Sequence, residues 1–490
     1  MEPVLPFNLN LSGTPHGGLA RALHRQLRSA VLDGRLPAGF ALPSTRALAT
    51  ALGVGRNTVI SAYERLLSGG HVHSRPGAST TVTAAVESRA RRASPAVTVG
   101  TARTPDPRIV PVWRRPADLL SPAVGLPSRN FRVGVPEHLM FPHDVWRRLA
   151  ARGLRQWGRE PFTYGSPQGL SALREAIAGH VAFLRAVACT ADDLIVTSGA
   201  QQAFDLLARL LVEPGRTRVA VEDPGYPPMR AAFAGMGAKL IGVPVDAEGL
   251  QVDRLPPGVR VICVTPSHQW PTGAVMSAAR RTALLAYAQR HGSVIVEDDY
   301  DGEFSYEPAP HDALQTLDRV ACVFYVGTFS KSLFPALRKG FVVAPAWSRS
   351  ALLDIKRCVD SHGDVMTQAT LSAFITEGHL ARHIGRMRRL YAKRRNAMSQ
   401  ALAGHLGNRL LVLPGDAGLH LAAQVIAGKR SGHLVELALM HLPGCMAVPR
   451  VAMSPLKQPA LCIGYGNVEI EEINRAVARL GAALVESGKR

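Results

Sequence analysis

The chain has 490 residues, 47% apolar and 19% charged, which is too long for one compact unit and apolar enough to bury a sizeable core. No apolar run reaches bilayer-spanning length, Met1 to Asn10 lacks the layout of a secretory signal, and the six scattered cysteines contain no C-x-x-C pair, so a cytoplasmic protein with reduced, mostly buried thiols and no membrane partner is expected. The net charge of +20 is uneven, because residues 1–120 hold 15 arginines, no lysine and 6 acidic residues, a basic end that suits a polyanion.

Leu19, Leu23, Leu27 and Val31 recur four apart and predict a helix ending near Asp33 and Gly34. After the turn Leu36 to Gly39, Ser44 is placed to cap a second helix carrying Leu48, Ala49 and Leu52. The stretch Gly53 to Gly55 breaks it, and a third helix is expected from Arg56 to Ser68. Val72 to Val82, with Pro76 and Gly77 in its middle, reads as a two-stranded wing. From about residue 84 to 120 the chain is rich in Pro, Arg, Ala and Thr without a sustained period, the composition of a linker. Beyond it, strand-like runs at 194–197, 219–221, 261–264 and 294–296 alternate with helical stretches, which predicts an α/β domain with a mostly parallel sheet covered on both faces.

Arg46 near the start of the second helix and Arg56, Asn57 and Thr58 opening the third put donors at helix N-termini, where phosphates and major-groove base edges are in reach. Arg75 beside Pro76 and Gly77 would dip the wing towards a groove. Spacing alone fits an ordinary three-helix unit with surface arginines equally well. The strings Leu32 to Gly39, Leu42 to Ala49, Leu52 to Val59 and Ala62 to Leu66 closely resemble the GntR-type winged helix-turn-helix. The resemblance implies binding of double-stranded DNA by residues 12–83, with Arg46, Arg56, Asn57 and Thr58 as contacts and Arg75 and Gly77 in the wing. Two departures stand out. Gly55 occupies the place of a hydroxyl cap, and Ser79 that of a second wing glycine.

Lysine is rare, with 8 in the chain, and Lys331 follows an apolar strand in the run Gly327 to Arg338, flanked by Thr328 and Ser330. Pyridoxal 5'-phosphate (PLP) needs such a set: a desolvated amine that is partly neutral, and hydroxyls and a forked guanidinium for its phosphate. Val196 to Gln202 turns a strand into a helix and presents N–H groups where a phosphate can sit, although an ordinary β-to-α turn reads the same way. Val294 to Tyr300 ends a buried strand in Glu297, Asp298 and Asp299. One carboxylate there would hold the ring nitrogen protonated, and the pattern leaves Asp298 and Asp299 both open because a one-residue shift reverses a strand's facing. Tyr226 after a Pro-Gly turn suits ring stacking or plain burial. His379 and His383, amid arginines, read as a solvated basic face, and no metal site is expected.

Together and in this order the motifs resemble the fold-type I aminotransferases. The runs Thr265 to Gly273, Glu297 to Phe304 and Gly327 to Lys331 look like the MocR (GabR-like) branch of GntR-type regulators. The resemblance implies a PLP-binding effector domain over 121–490, joined to the winged helix by a linker at 84–120 and ending in a small C-terminal α+β subdomain. By it, Lys331 would carry the cofactor as a Schiff base, Asp298 would pair with the ring nitrogen and Tyr300 with the ring hydroxyl. Tyr226 would stack on the ring and His268 would lie nearby. Ser198, Gly199, Ala200, Gln201, Thr328, Ser330 and Arg338 would form the phosphate cup, completed by Tyr164 from the partner of a homodimer. Arg450 falls roughly where amino-acid-sensing relatives hold a carboxylate. The arginine expected in a late strand of true aminotransferases is absent, the comparable stretch being Leu461 to Ile463. The expected function is a regulator whose signal is PLP, an amino acid or an amine, serving vitamin B6 or amino acid and amine metabolism. The rival is an active aminotransferase with an appended DNA-binding module.

Overall fold

The computed structural model describes residues 5–11, 18–74, 79–83, 106–114, 129–157, 163–306, 312–426 and 431–488. The chain divides into two compact units, Met1–Thr104 and Pro105–Arg490.

In the first unit, α1 (Leu19–Leu32), α2 (Thr45–Leu52) and α3 (Arg56–Ser68) precede a wing in which β1 (Val72–His73) pairs antiparallel with β2 (Thr81–Val82). The α1 stripe buries Leu23, Leu27 and Val31 against Leu48 and Ala49 of α2, Val59, Ala62 and Leu66 of α3, and Val72 and Val82 of the wing. Ser44 caps α2 by accepting from the Ala47 N–H at 3.2 Å. Gly55, the N-cap of α3, is extended and supplies no side-chain bond. The wing tip, including Arg75 and Gly77, lies outside the described residues.

The second unit is built on an eight-stranded sheet. Its strands are β3 (Leu194–Thr197), β4 (Arg218–Asp223), β5 (Lys239–Asp246), β6 (Gly249–Leu250), β7 (Val261–Val264), β8 (Val294–Asp299), β9 (Val323–Thr328) and β10 (Gly340–Val343), in the spatial order β3-β10-β9-β8-β7-β4-β5-β6. From β9 to β5 the pairing is parallel, while β10 runs antiparallel to both neighbours. Successive strand residues feed opposite cores. Val219, Val221, Val294 and Val296 join Phe204, Phe233 and Leu352 on one face. Ala220, Ile262 and Ile295 join Leu284 and Tyr287 on the other. A smaller antiparallel sheet holds β11 (Leu410–Val412), β12 (His420–Val425), β13 (Met446–Ala447) and β14 (Ala460–Gly464) in the order β11-β12-β14-β13.

Within the stretch read as linker, 106–114 is described and contains the helical turn Pro111–Arg114. The Trp113 ring lies against Gly235 of the helix Pro227–Gly235, so this part of the stretch is anchored by an aromatic contact that composition does not reveal. His383 corrects another expectation. It is buried against Phe141, and burial lowers its pKa to about 4, so it is a core histidine rather than part of a solvated face. Among the described residues no helix is long and apolar enough to cross a membrane.

Candidate cofactor site and nucleic-acid interface

At the C-terminal ends of β8 and β9 a cavity of about 250 Å³ opens, where parallel strands of an open sheet leave a crevice. Ala200, Gln201, Tyr226, Asp298, Tyr300, Thr328, Ser330, Lys331 and Arg338 line it, together with Val133, Gly134, Trp270 and Pro335. The Lys331 Nζ donates to the Gly134 carbonyl at 2.7 Å. Gly134 has φ +72°, a conformation that disfavours other residues, and a Cβ there would stand 2.7 Å from that Nζ, so a side chain at 134 would displace the lysine end. Burial lowers the Lys331 pKa against the opposing pull of Asp301 and Asp298, which leaves more of the amine neutral.

The two neighbouring aspartates have different environments. Asp299 accepts from the Arg185 Nε at 2.7 Å and from the Tyr325 hydroxyl at 2.7 Å. Burial pushes its pKa up, but Arg185 and these hydrogen bonds outweigh that and hold the carboxyl below its ordinary value. Asp298 lines the cavity, and its buried Oδ1 has no hydrogen-bond partner in the protein. Burial, then the charges of Asp299 and Asp301, push the Asp298 pKa well above the usual carboxylate range. A cation in the cavity would reverse that shift, and a protonated ring nitrogen is such a cation.

Opposite them, the Arg338 Nη2 donates to the Ser198 carbonyl at 2.7 Å beneath the start of the helix Ala200–Leu211. Gly199 has φ +83°, and a Cβ there would come within 2.8 Å of the guanidinium. The Thr328 hydroxyl donates to the Ser330 Oγ at 3.1 Å and accepts from the Ser330 N–H. The Ala200 and Gln201 backbone opens the helix beside these groups, the arrangement that receives an anion. Ser198 is not among the residues that line the cavity, and its N–H is held by the Gln202 Oε1 at 2.7 Å.

Tyr226 meets Trp270 edge to face, with ring centroids 5.2 Å apart. Trp270 was missed in the sequence although it stands inside the run Thr265 to Gly273. Tyr300 lines the cavity, and its hydroxyl donates to the His268 carbonyl at 2.9 Å. His268 lies behind Tyr300 instead of on the cavity wall, its Nδ1 3.0 Å from the Asp301 carboxylate and its ring 4.5 Å from that of His420. The side chains of His268, Asp301 and His420 bring possible metal donors within 4.8 Å of one another, with one hydrogen bond already made between His268 and Asp301.

Two expected residues stand apart. Tyr164 is 90% exposed, its ring edge-on to His362, and does not line the cavity. Arg450 is exposed in the short helix Val448–Val451 and also lies off the wall. At the expected arginine position of the late strand, Cys462 is fully buried in β14.

In the first unit, Arg46, Arg56 and Asn57 are exposed and Thr58 half-buried at the N-terminal turns of α2 and α3. The Arg56 Nε donates to the Thr45 Oγ1 at 3.3 Å, which ties the two helix starts together. Both helix starts place exposed arginines close together, as phosphate recognition requires.

Residues 130–428 match the family aminotransferase class I and II, and residues 19–82 match the bacterial regulatory proteins of the gntR family. The chain is 35% identical to the probable rhizopine catabolism regulatory protein MocR of Rhizobium meliloti over 467 residues, covering 95% of this chain and 93% of that one. It is 33% identical to the pyridoxine biosynthesis transcriptional regulator PdxR of Corynebacterium glutamicum, covering 85% of each. The crystal structure of a Pyrococcus horikoshii kynurenine aminotransferase in complex with PMP is similar over 73% of this chain and 90% of that one, with a TM-score of 0.67 and 26% identity. With a GntR-type DNA-binding unit and an aminotransferase-type unit in one chain, and near-full-length similarity to such regulators, this protein belongs to the MocR-type transcription regulators.

Proposed function

We propose that the protein is a PLP-responsive regulator of vitamin B6 or amine metabolism, acting as a homodimer through residues 12–83, with 84–120 as linker and 121–490 as the effector domain. The observation that carries the reading is one cavity holding Lys331, an unpartnered Asp298 oxygen and an anion cup around Arg338. These groups fit PLP in kind: an amine for its aldehyde, a carboxylate for its ring nitrogen, and donors for its phosphate. Bound there, PLP would supply an electrophilic carbon and an electron-accepting ring. Lys331 would anchor it, Asp298 would hold the ring-nitrogen proton, Tyr226 and Trp270 would flank the ring, and Tyr300 would meet the ring hydroxyl. Tyr164, being exposed, is free to reach a partner's phosphate.

Cys462 stands at the place of the late-strand arginine and Arg450 lies off the cavity wall, so among the described lining residues Arg338 of the cup is the one guanidinium. This favours PLP itself or an adduct with an amine as the signal over an amino acid. Residual transamination is compatible with Lys331, which both activities need. Whatever the ligand, it must bind the DNA-competent and DNA-incompetent arrangements unequally. The test is binding to the DNA upstream of the protein's own gene, with and without PLP, for the wild type and Lys331→Ala. Wild-type affinity that shifts with PLP, and a variant that neither shifts nor shows the yellow absorbance, is expected. An equal PLP response in both proteins would refute the reading, and sustained turnover of an amino donor would favour the enzyme.

A further inference from the structure

Of the chain's 8 lysines, Lys339 and Lys356 are buried and have no role in the site described above. Lys356 is fully enclosed, and an enclosed ammonium is costly unless paired. Its Nζ donates to the Asp360 Oδ1 at 2.6 Å, one turn along the helix Arg349–Asp360. The other Asp360 oxygen accepts from the Gln202 Nε2 at 2.7 Å. The Gln202 Oε1 accepts from the Ser198 N–H at 2.7 Å, and the Ser198 carbonyl accepts from Arg338 at 2.7 Å. The amide of Gln202 has one workable orientation, since a carboxylate only accepts and a backbone N–H only donates. A continuous chain of polar contacts thus runs from a buried ion pair to the arginine of the anion cup.

We infer that Asp360 is a positioning residue for the anion cup: by fixing Gln202 it fixes the Ser198 peptide, and with it the guanidinium of Arg338, so that the cup is set for a phosphate group before the ligand arrives. Asp360 is not among the cavity-lining residues. Its second effect is to pair with Lys356, whose enclosed ammonium would otherwise be left without its ion-pair partner. Without it the Gln202 amide is free to turn, the Ser198 peptide is held at one end only, and the preorganisation of the cup is lost.

The inference rests on the PLP reading, and a pair of ligands separates the two. PLP and pyridoxal share the ring, the aldehyde and the ring nitrogen, and differ in the phosphate. Both are titrated by absorbance into the full-length wild type, Asp360→Asn and Gln202→Leu, the last remaining informative if the charge change prevents folding. Affinity for PLP is expected to fall about tenfold in each variant, the scale of one charge-assisted hydrogen bond, with pyridoxal affinity unchanged within about twofold. A PLP-over-pyridoxal preference equal to that of the wild type in both variants overturns the inference. So does a parallel loss of both ligands, which would make the chain of contacts a support of the fold alone. A wild type that binds neither ligand overturns the PLP reading itself.

Discussion

Asp298 and Asp299 are adjacent on one strand, yet the pleat sends their side chains to opposite faces and so to different chemistry. Asp299 is spent on Arg185, and both members of that pair are buried. Removing one partner of a buried ion pair strands the other, which costs about 3–5 kcal/mol. Asp299→Asn is therefore expected to lower the urea midpoint strongly, whereas Asp298→Asn removes a group that burial already disfavours as an anion and should leave the midpoint near that of the wild type. Retention of PLP should show the reverse order, weakened by Asp298→Asn beyond any loss of fold. If Asp298→Asn holds PLP as tightly as the wild type, Asp298 is not the partner of the ring nitrogen.

At the scale of elements, the turn 265–273 that brings Trp270 to the cavity is fastened to the end of β4 by Glu222. This carboxyl accepts from the Thr265 hydroxyl at 2.6 Å and from the Gln269 Nε2 at 3.1 Å, while Cys263 on β7 and Asp298 on β8 also face it. No cation offsets its burial, which pushes its pKa up to about 7 from 4.5. A carboxyl raised in the folded state contributes stability that is full below pH 4.5 and is lost as pH rises through 7. The difference corresponds to about 3 kcal/mol. Glu222→Gln, which cannot ionise, is expected to gain on the wild type by that order between pH 4.5 and 7.5 in denaturant unfolding, and a constant difference across that range would contradict the assignment. The strands around this turn were legible in the sequence because each feeds two apolar cores, so their runs are continuous. The helices α1 to α3 were legible because each buries one stripe. The supports of the site were not legible. Lys331 meets Gly134 across 197 positions and Arg185 meets Asp299 across 114, distances at which no local pattern operates. Gln202 stood inside a motif already read as a phosphate turn, but its contact with Asp360 lies 158 positions away.

At the scale of the whole molecule, the cofactor groups lie within 133–338, whereas the cations proposed to meet DNA lie at Arg46 and Arg56, in a unit with its own apolar core. Each function can then be perturbed at its own residues. Neutralising a phosphate releases condensed counterions, so the logarithm of DNA affinity falls with the logarithm of salt by about 0.9 for each contact. If Arg46 and Arg56 each meet a phosphate, Arg46→Ala and Arg56→Ala should each reduce that slope by about 1 and weaken binding on operator and unrelated DNA alike. Loss confined to the operator would instead assign the arginine to a base edge, where one good bidentate contact discriminates by about 1–3 kcal/mol. In both cases the absorbance of bound PLP in these variants should match the wild type, because neither side chain belongs to the cavity. A slope unchanged in both variants would remove these arginines from the interface and leave the remaining cations of the basic first 120 residues to carry the polyanion.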